Sequence, residues 1–217
     1  MANNTYKSGL LTDRVYEKLE SDILLGKYPR GTVLTELGLA EDLGVSRTPI
    51  REALYRLVQE RLIEDTARGS IVLGITAEDM MDIMDIRYRL ESLACRWAAE
   101  RITPKGEQEL QKIIDLQDYY AEKGDTAGIA EMDDQFHTTL YRLSGSLLLA
   151  DCLNSLHGRI QKYRRASMAH RERLPEISTE HRNLFEAIRH GNGDEAERLA
   201  KEHARNAKER MTKENVQ

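Results

Sequence analysis

The sequence offers little that would suit an oxidising compartment or a membrane. Only two cysteines occur in 217 residues, Cys95 and Cys152, and their spacing matches no metal-binding or redox pattern. Both lie in apolar helical contexts, so buried reduced thiols are expected, with no disulfide. No run of about 20 apolar residues is available to span a bilayer. The amino-terminal MANNTYKSG lacks the basic and apolar segments of a signal peptide. A cytoplasmic protein with no membrane partner is therefore expected. Aromatic residues make up 6% of the chain and prolines number four, which suits a mainly α protein better than a β sandwich. Positive charge is not in excess either. The formal net charge is −5, so any contact with nucleic acid must come from a focused patch rather than from the protein as a whole.

What is present is a core and a pattern. Hydrophobic residues make up 40% and charged residues 32%, enough apolar surface for two modest domains. Leu11, Val15, Leu19 and Ile23 recur every four positions and predict a first amphipathic helix ending near Gly26. A short second helix is predicted from about Thr35, burying Leu37, Ala40 and Leu43, with Gly44 as its left-handed stop. Ser46 can cap a third helix, whose first turn tolerates Pro49 because the amide donors there have no intrahelical partner. LIED and SIVLG then read as two short strands joined by a turn through Ala67, Arg68 and Gly69. Three helices and a β-hairpin within residues 1–75 outline a winged helix-turn-helix. From Thr76 onward the pattern is helical only. About six helices are predicted within an all-helical bundle over residues 76–217, at 76–102, 105–123, 126–144, 147–172, 178–190 and 193–213.

The stretch VSRTPIREAL, residues 45–54, concentrates chemistry. Residues 47–61 hold four arginines against two glutamates. Ile50, Leu54 and Leu57 face the domain, leaving Arg47, Thr48, Arg51 and Tyr55 on the neighbouring exposed face. The second helix of such a motif enters the major groove with its amino-terminal residues at base edges. An arginine there can fork onto guanine O6 and N7 while Ser and Thr hydroxyls bond the backbone. Two arginines on a helix edge also occur as a solvated face; the order of short helix, glycine, cap and hairpin around them favours the DNA reading.

LAEDLGVSRTPIREALYRLVQERLIE resembles the helix-turn-helix of the GntR family of bacterial transcription regulators, over about residues 10–74. The resemblance implies DNA contacts by Arg47 and Arg51, assisted by Ser46 and Thr48, with Gly69 letting the wing approach the minor groove. Arg61 departs from the family pattern, standing where many members carry glycine.

In the predicted helical domain, polar side chains fall on apolar faces. Asp133 and His137 lie beside the stripe of Ile129, Phe136 and Leu140. His181 shares a face with Ile177, Leu184, Phe185 and Ile188, and His203 shares one with Ala196, Leu199, Ala200 and Ala207. Burying such groups unpaired costs several kcal/mol by order of magnitude. A hydrogen-bonded core cluster would satisfy them, and so would shared coordination of one divalent cation, for which three imidazoles and a carboxylate suit Zn, Ni, Mn or Fe. Imidazole must be neutral to ligate, so affinity should fall below about pH 6.5. His157, His170 and His190 sit in more polar or terminal settings and read as surface groups or supports for the ligands. Arg87 and Glu91 form an i, i+4 pair on a face with Met84, Ala94 and Ala98, readable as a partly buried ion pair or as an anchor for an anion.

DDQFH, EHRNLFEAI and KEHARNA resemble, in this order, the signatures of the FCD domain, the helical effector domain of the FadR-type GntR branch, over about residues 77–213. That resemblance implies metal ligation by Asp133, His137, His181 and His203, and an anionic effector met by Arg87, with organic acids a frequent class. Ser146 stands where the family often has asparagine. The expected protein is a homodimeric DNA-binding regulator, a repressor relieved by a small carboxylate, acting on a pseudo-palindromic double-stranded operator. Two other readings are a metal-dependent enzyme with a DNA-binding module and a regulator whose metal is purely structural.

Overall fold

The computed structural model describes the backbone of residues 2–167 and 174–214. Among them the chain forms two compact units, Met1–Thr76 and Ala77–Gln217. The first contains α1 (Ala2–Leu24), β1 (Val33–Leu34), α2 (Glu36–Leu43), α3 (Arg47–Gln59), β2 (Ile63–Thr66) and β3 (Gly69–Val72). The three strands form an antiparallel sheet in the order β1-β3-β2, with Val33 opposite Ile71 and Ile63 opposite Val72. Val15, Leu19 and Ile23 of α1, Ile50, Leu54 and Leu57 of α3, and Ile63 and Val72 of the sheet share one core. The α1 stripe is thus the predicted one, minus the partly exposed Leu11.

Several local expectations need correcting. The buried positions of α2 are Leu39 and Ala40, whereas Leu37 is 60% exposed. The cause is the helix start: Thr35 is the N-cap, its Oγ1 accepting from the Gly38 amide at 3.1 Å, and this phase turns Leu37 outward. Ser46 occupies the N-cap of α3 with extended backbone, but its hydroxyl makes no capping hydrogen bond. β1 was not foreseen, because two residues carry no readable alternation. It nevertheless explains Gly69. That residue has φ +125°, and a Cβ on it would lie 2.6 Å from the Leu34 carbonyl oxygen, so glycine is required where β3 closes onto β1.

Arg61 takes the place of a terminating glycine in conformation as well as in position. It has φ 56°, its amide bonds the Val58 carbonyl at 2.9 Å, and the Leu62 amide reaches back to Leu57 at 3.0 Å, the pattern of a left-handed helix stop. A non-glycine residue costs roughly 1–2 kcal/mol there, against roughly 0.5–1 kcal/mol of extra unfolded-state entropy for glycine. Arg61→Gly is therefore expected to raise the melting temperature by a few degrees. An unchanged or lower melting temperature would contradict this.

The second unit is helical throughout its described residues: α4 (Ala77–Glu100), α5 (Pro104–Lys123), α6 (Thr126–Leu143), α7 (Leu147–Ser167), α8 (Leu174–Arg189) and α9 (Gly193–Glu214). α4 is central, lying against α6, α7, α8 and α9. Pro175 falls in the first turn of α8 rather than before it, a place where a missing N–H is tolerated. Cys95 is buried and its thiol is pushed well up by desolvation. Cys152 is exposed, against expectation, since α7 turns Leu149, Ala150 and Leu153 to the core instead. No helix among the described residues is long and apolar enough to cross a membrane.

Candidate DNA-reading face and candidate metal centre

In the first unit the turn at Gly44 sets the start of α3 beside the start of α2. Arg47, Thr48 and Arg51 are exposed on α3, as is Ser46 at its cap. Tyr55, one turn further along, is 66% exposed. Both arginines meet Glu36 of α2. Arg47 donates from Nε and Nη2 to Glu36 Oε2 at 3.1 and 2.7 Å, and Arg51 donates from Nε to Oε1 at 2.8 Å and from Nη2 to Oε2 at 2.9 Å. The Arg51 and Arg47 hydrogen bonds hold the Glu36 carboxyl down at about 2. Arg68 is exposed at the tip of the β2–β3 hairpin.

In the second unit three helices bring the inward polar residues together. Asp133 and His137 come from α6, His181 from α8 and His203 from α9, and all are buried. One ring nitrogen of each of His137, His181 and His203 lies within 4.8 Å of the other two. Asp133 Oδ1 is 3.8 Å from His137 Nε2 and 3.7 Å from His181 Nε2. Two ligands about 2.1 Å from one tetrahedral ion would stand about 3.4 Å apart, so these separations are close to those of a shared ion.

The other nitrogen of each ring meets an oxygen. His181 Nδ1 is 3.0 Å from Gln117 Oε1 and His203 Nδ1 is 2.6 Å from Glu180 Oε2, whereas His137 Nδ1 lies 2.6 Å from Glu91 Oε1 as an ion-pair contact without hydrogen-bond geometry. A carboxylate or amide oxygen can only accept, so Nδ1 of His181 and of His203 carries the proton and their Nε2 atoms keep the lone pair. Such supports typically orient metal-bound histidines. His181 Nε2 is buried without a hydrogen-bond partner among the described residues, which a core cluster satisfied by its own hydrogen bonds would not leave.

Burial keeps the rings of His137 and His181 neutral. Desolvation pulls His137 down to about 4 despite Glu91, and pulls His181 well below its usual value with help from the neighbouring histidines. Burial alone would raise Glu91, but the Arg87 guanidinium and His137 hold it well below the carboxylate range. Glu180 is likewise held low against burial, by hydrogen bonds from His203, Arg210 and Asn206.

Arg87 is 3% exposed. Its Nη2 donates to Glu91 at 3.0 Å and contacts the Tyr141 hydroxyl at 3.3 Å; Tyr141 donates to the same Glu91 oxygen at 2.8 Å. Its Nε has no hydrogen-bond partner.

Among the other histidines, His157 is buried, with its ring 5.0 Å from that of His137 and Nε2 2.8 Å from Asp134 Oδ1, so it is not a surface group. His190 is exposed and bonds the Glu186 carbonyl. His170 lies outside the described residues. Ser146 opens α7, its Oγ accepting from the Leu149 amide. Gln117 and Glu180 were missed from the sequence. Gln117 shares the stripe of Leu110, Ile113 and Ile114, and a fully buried amide on an apolar stripe was a legible anomaly.

A winged helix-turn-helix followed by an all-helical unit defines a class of DNA-binding protein. Residues 11–73 match the bacterial regulatory proteins of the gntR family and residues 82–206 match the FCD domain. The chain belongs to the GntR family, in the group with an FCD domain, and is a DNA-binding transcription regulator rather than an enzyme. It is 30% identical over 213 residues to the galactonate operon transcriptional repressor of Escherichia coli K12, covering 87% of this chain and 91% of that one. It is 28% identical over 194 residues to the HTH-type transcriptional repressor RspR of the same strain, covering 89% and 85%. The solved structure of E. coli McbR/YncC matches with a TM-score of 0.69 and 27% identity, over 91% of this chain and 94% of that one.

Proposed function

We propose that the protein is a cytoplasmic, homodimeric repressor whose hold on a pseudo-palindromic operator is weakened by a small carboxylate bound at a divalent-metal site in residues 76–217, with residues 1–75 contacting DNA. The observation that carries the reading is the convergence of one nitrogen from each of three buried imidazoles, with an Asp133 oxygen beside two of them. The donor set of His137, His181, His203 and Asp133 fits Zn, Ni or Mn. When bound, such an ion supplies a Lewis-acidic position for a carboxylate oxygen. The chain's own groups do the rest. Glu91, Gln117 and Glu180 hold the imidazoles aimed, and burial keeps water from competing. The unused Nε of Arg87 offers a charged donor to the anion. The name of the galactonate operon transcriptional repressor, which refers to a sugar acid, agrees with a carboxylate effector. Regulation then follows from linkage: a ligand that favours one arrangement of the helical unit shifts operator affinity by its differential binding.

The test is the binding of promoter fragments from the neighbourhood of the gene by metal-loaded protein, with and without a panel of hydroxy- and dicarboxylic acids. Two chains per operator are expected, with at least one acid weakening binding about fivefold or more, in the range of ordinary allosteric coupling. If no acid changes DNA affinity although metal binds, the metal is structural. One chain per operator would remove the dimer.

A further inference from the structure

Glu36 stands between the two arginines assigned to DNA, yet it is a carboxylate on a surface that must approach phosphates. Its contacts have a definite geometry. Both arginines use the Nε and Nη2 side of the guanidinium toward Glu36, and neither uses Nη1. An arginine has five donors arranged as a fork, so this side-on grip leaves the end-on edge, with Nη1 and the second Nη2 hydrogen, directed away from the carboxylate. The side chains are 60% and 65% exposed for Arg47 and Arg51, and 26% for Glu36, so the free edges face solvent. Glu36 is itself held in place, being the first residue of α2 behind the Thr35 cap.

We infer that Glu36 is a positioning and specificity-determining residue of the DNA-reading face. Its carboxylate presents both guanidinium forks end-on to base edges, and by its charge it disfavours their diversion to phosphate. Two effects follow from the same contact. Long arginine side chains lose less rotamer freedom on reaching a base when already held, which favours the cognate site. Sequence-independent binding depends on neutralising phosphates, and one negative charge among two positive ones lowers that drive. A weak, exposed ion pair is enough for both effects, because it does not need to break when the outer edge is used.

The inference rests on α3 being the DNA-reading helix, so the experiment carries an arm for that reading. Glu36→Gln keeps the side-chain length and removes the charge. Glu41→Gln, an exposed residue of the same helix with no hydrogen bond to either arginine, makes the same change in net charge. Affinities of the full-length metal-loaded protein are measured for a duplex selected by the wild type from a random library and for a scrambled duplex of equal composition, over a series of salt concentrations. Glu36→Gln is expected to tighten scrambled-duplex binding about threefold to tenfold, to leave selected-duplex binding equal or weaker, and to steepen the scrambled-duplex salt dependence by about one ion, one further phosphate contact. The ratio of the two affinities should then fall about tenfold, with an unchanged melting temperature. A fall no larger than that of Glu41→Gln overturns the role of Glu36 while leaving the helix assignment intact. If Arg47→Ala and Arg51→Ala also bind the selected duplex as the wild type does, the assignment of α3 fails, and the inference with it.

Discussion

Removing divalent metal from the protein is expected to lower the melting temperature of its helical unit by roughly 5–10 °C. A ligand bound only to the native state stabilises it by RT ln(1 + [M]/Kd), about 2.7 kcal/mol at a hundredfold excess over Kd, and each kcal/mol is worth roughly 2–4 °C for a domain of this size. The residues involved tie α6, α8 and α9 together, so the loss should appear as a loosening of the whole unit rather than of one helix. His181→Ala and His203→Ala each delete a ligand, but they also orphan Gln117 or Glu180 and open a cavity. Lower stability alone is therefore no evidence for a metal. The decisive quantity is the difference between metal-loaded and chelated melting temperatures, which should be large in the wild type and close to zero in both variants. Equal differences in all three proteins would return the histidines to a core cluster and leave Arg87 as the leading anchor for the effector.

The same site sets a pH dependence, with a sign that burial decides. In the unfolded chain the imidazoles take protons near pH 6.5, whereas in the fold burial pulls His137 down to about 4 and His181 well below its usual value. Between those values the unfolded state binds more protons, so stability rises with pH. The metal-free protein should thus lose stability as pH falls from about 6.5 toward 4. Proton competition with metal should begin lower than free histidine would suggest. Melting curves at pH 7.5, 6 and 5, with and without chelator, check both statements.

Much of this site was legible, and the parts that were not share one property. Asp133, His137, His181 and His203 could be found because each breaks the apolar period of its own helix, a signal contained within about 15 residues. Glu91, Gln117 and Glu180 support the rings from other elements or other turns; Gln117 stands out as an amide on an apolar stripe, but its pairing with His181 across 64 residues leaves no mark in local spacing. The same holds in the first unit. The helix-turn-helix announced itself through glycine, cap and apolar stripe, whereas the Glu36 contact, 11 and 15 residues from its arginines, depends on how α2 meets α3. Leu37 and Cys152 were misplaced for a smaller reason: in a short helix, or on the flank of an apolar stripe, a shift of one residue in phase turns an inward position outward.

Arg47→Ala and Arg51→Ala should each weaken operator binding by roughly tenfold to a hundredfold, the loss associated with one good bidentate base contact. Neither side chain is part of the core, and both are exposed at the start of a helix held by Ile50, Leu54 and Leu57, so folding and metal binding should be unaffected. The two positions need not respond alike. An arginine that reads a base should, when truncated, lose affinity for the operator far more than for random duplex and relax the preference at one base pair. An arginine that meets phosphate should lose both affinities together and reduce the salt dependence by about one ion. Each arginine also neutralises Glu36. Removing one leaves the carboxylate with a single partner, and removing both leaves an uncompensated negative charge facing the DNA. The double variant should therefore bind worse than the two single losses combined, whereas Glu36→Gln placed on the double variant should recover part of that excess. Additive losses with no recovery would mean that Glu36 and the arginines act on DNA independently. Unchanged operator affinity in both single variants at fixed salt would remove α3 from the interface altogether.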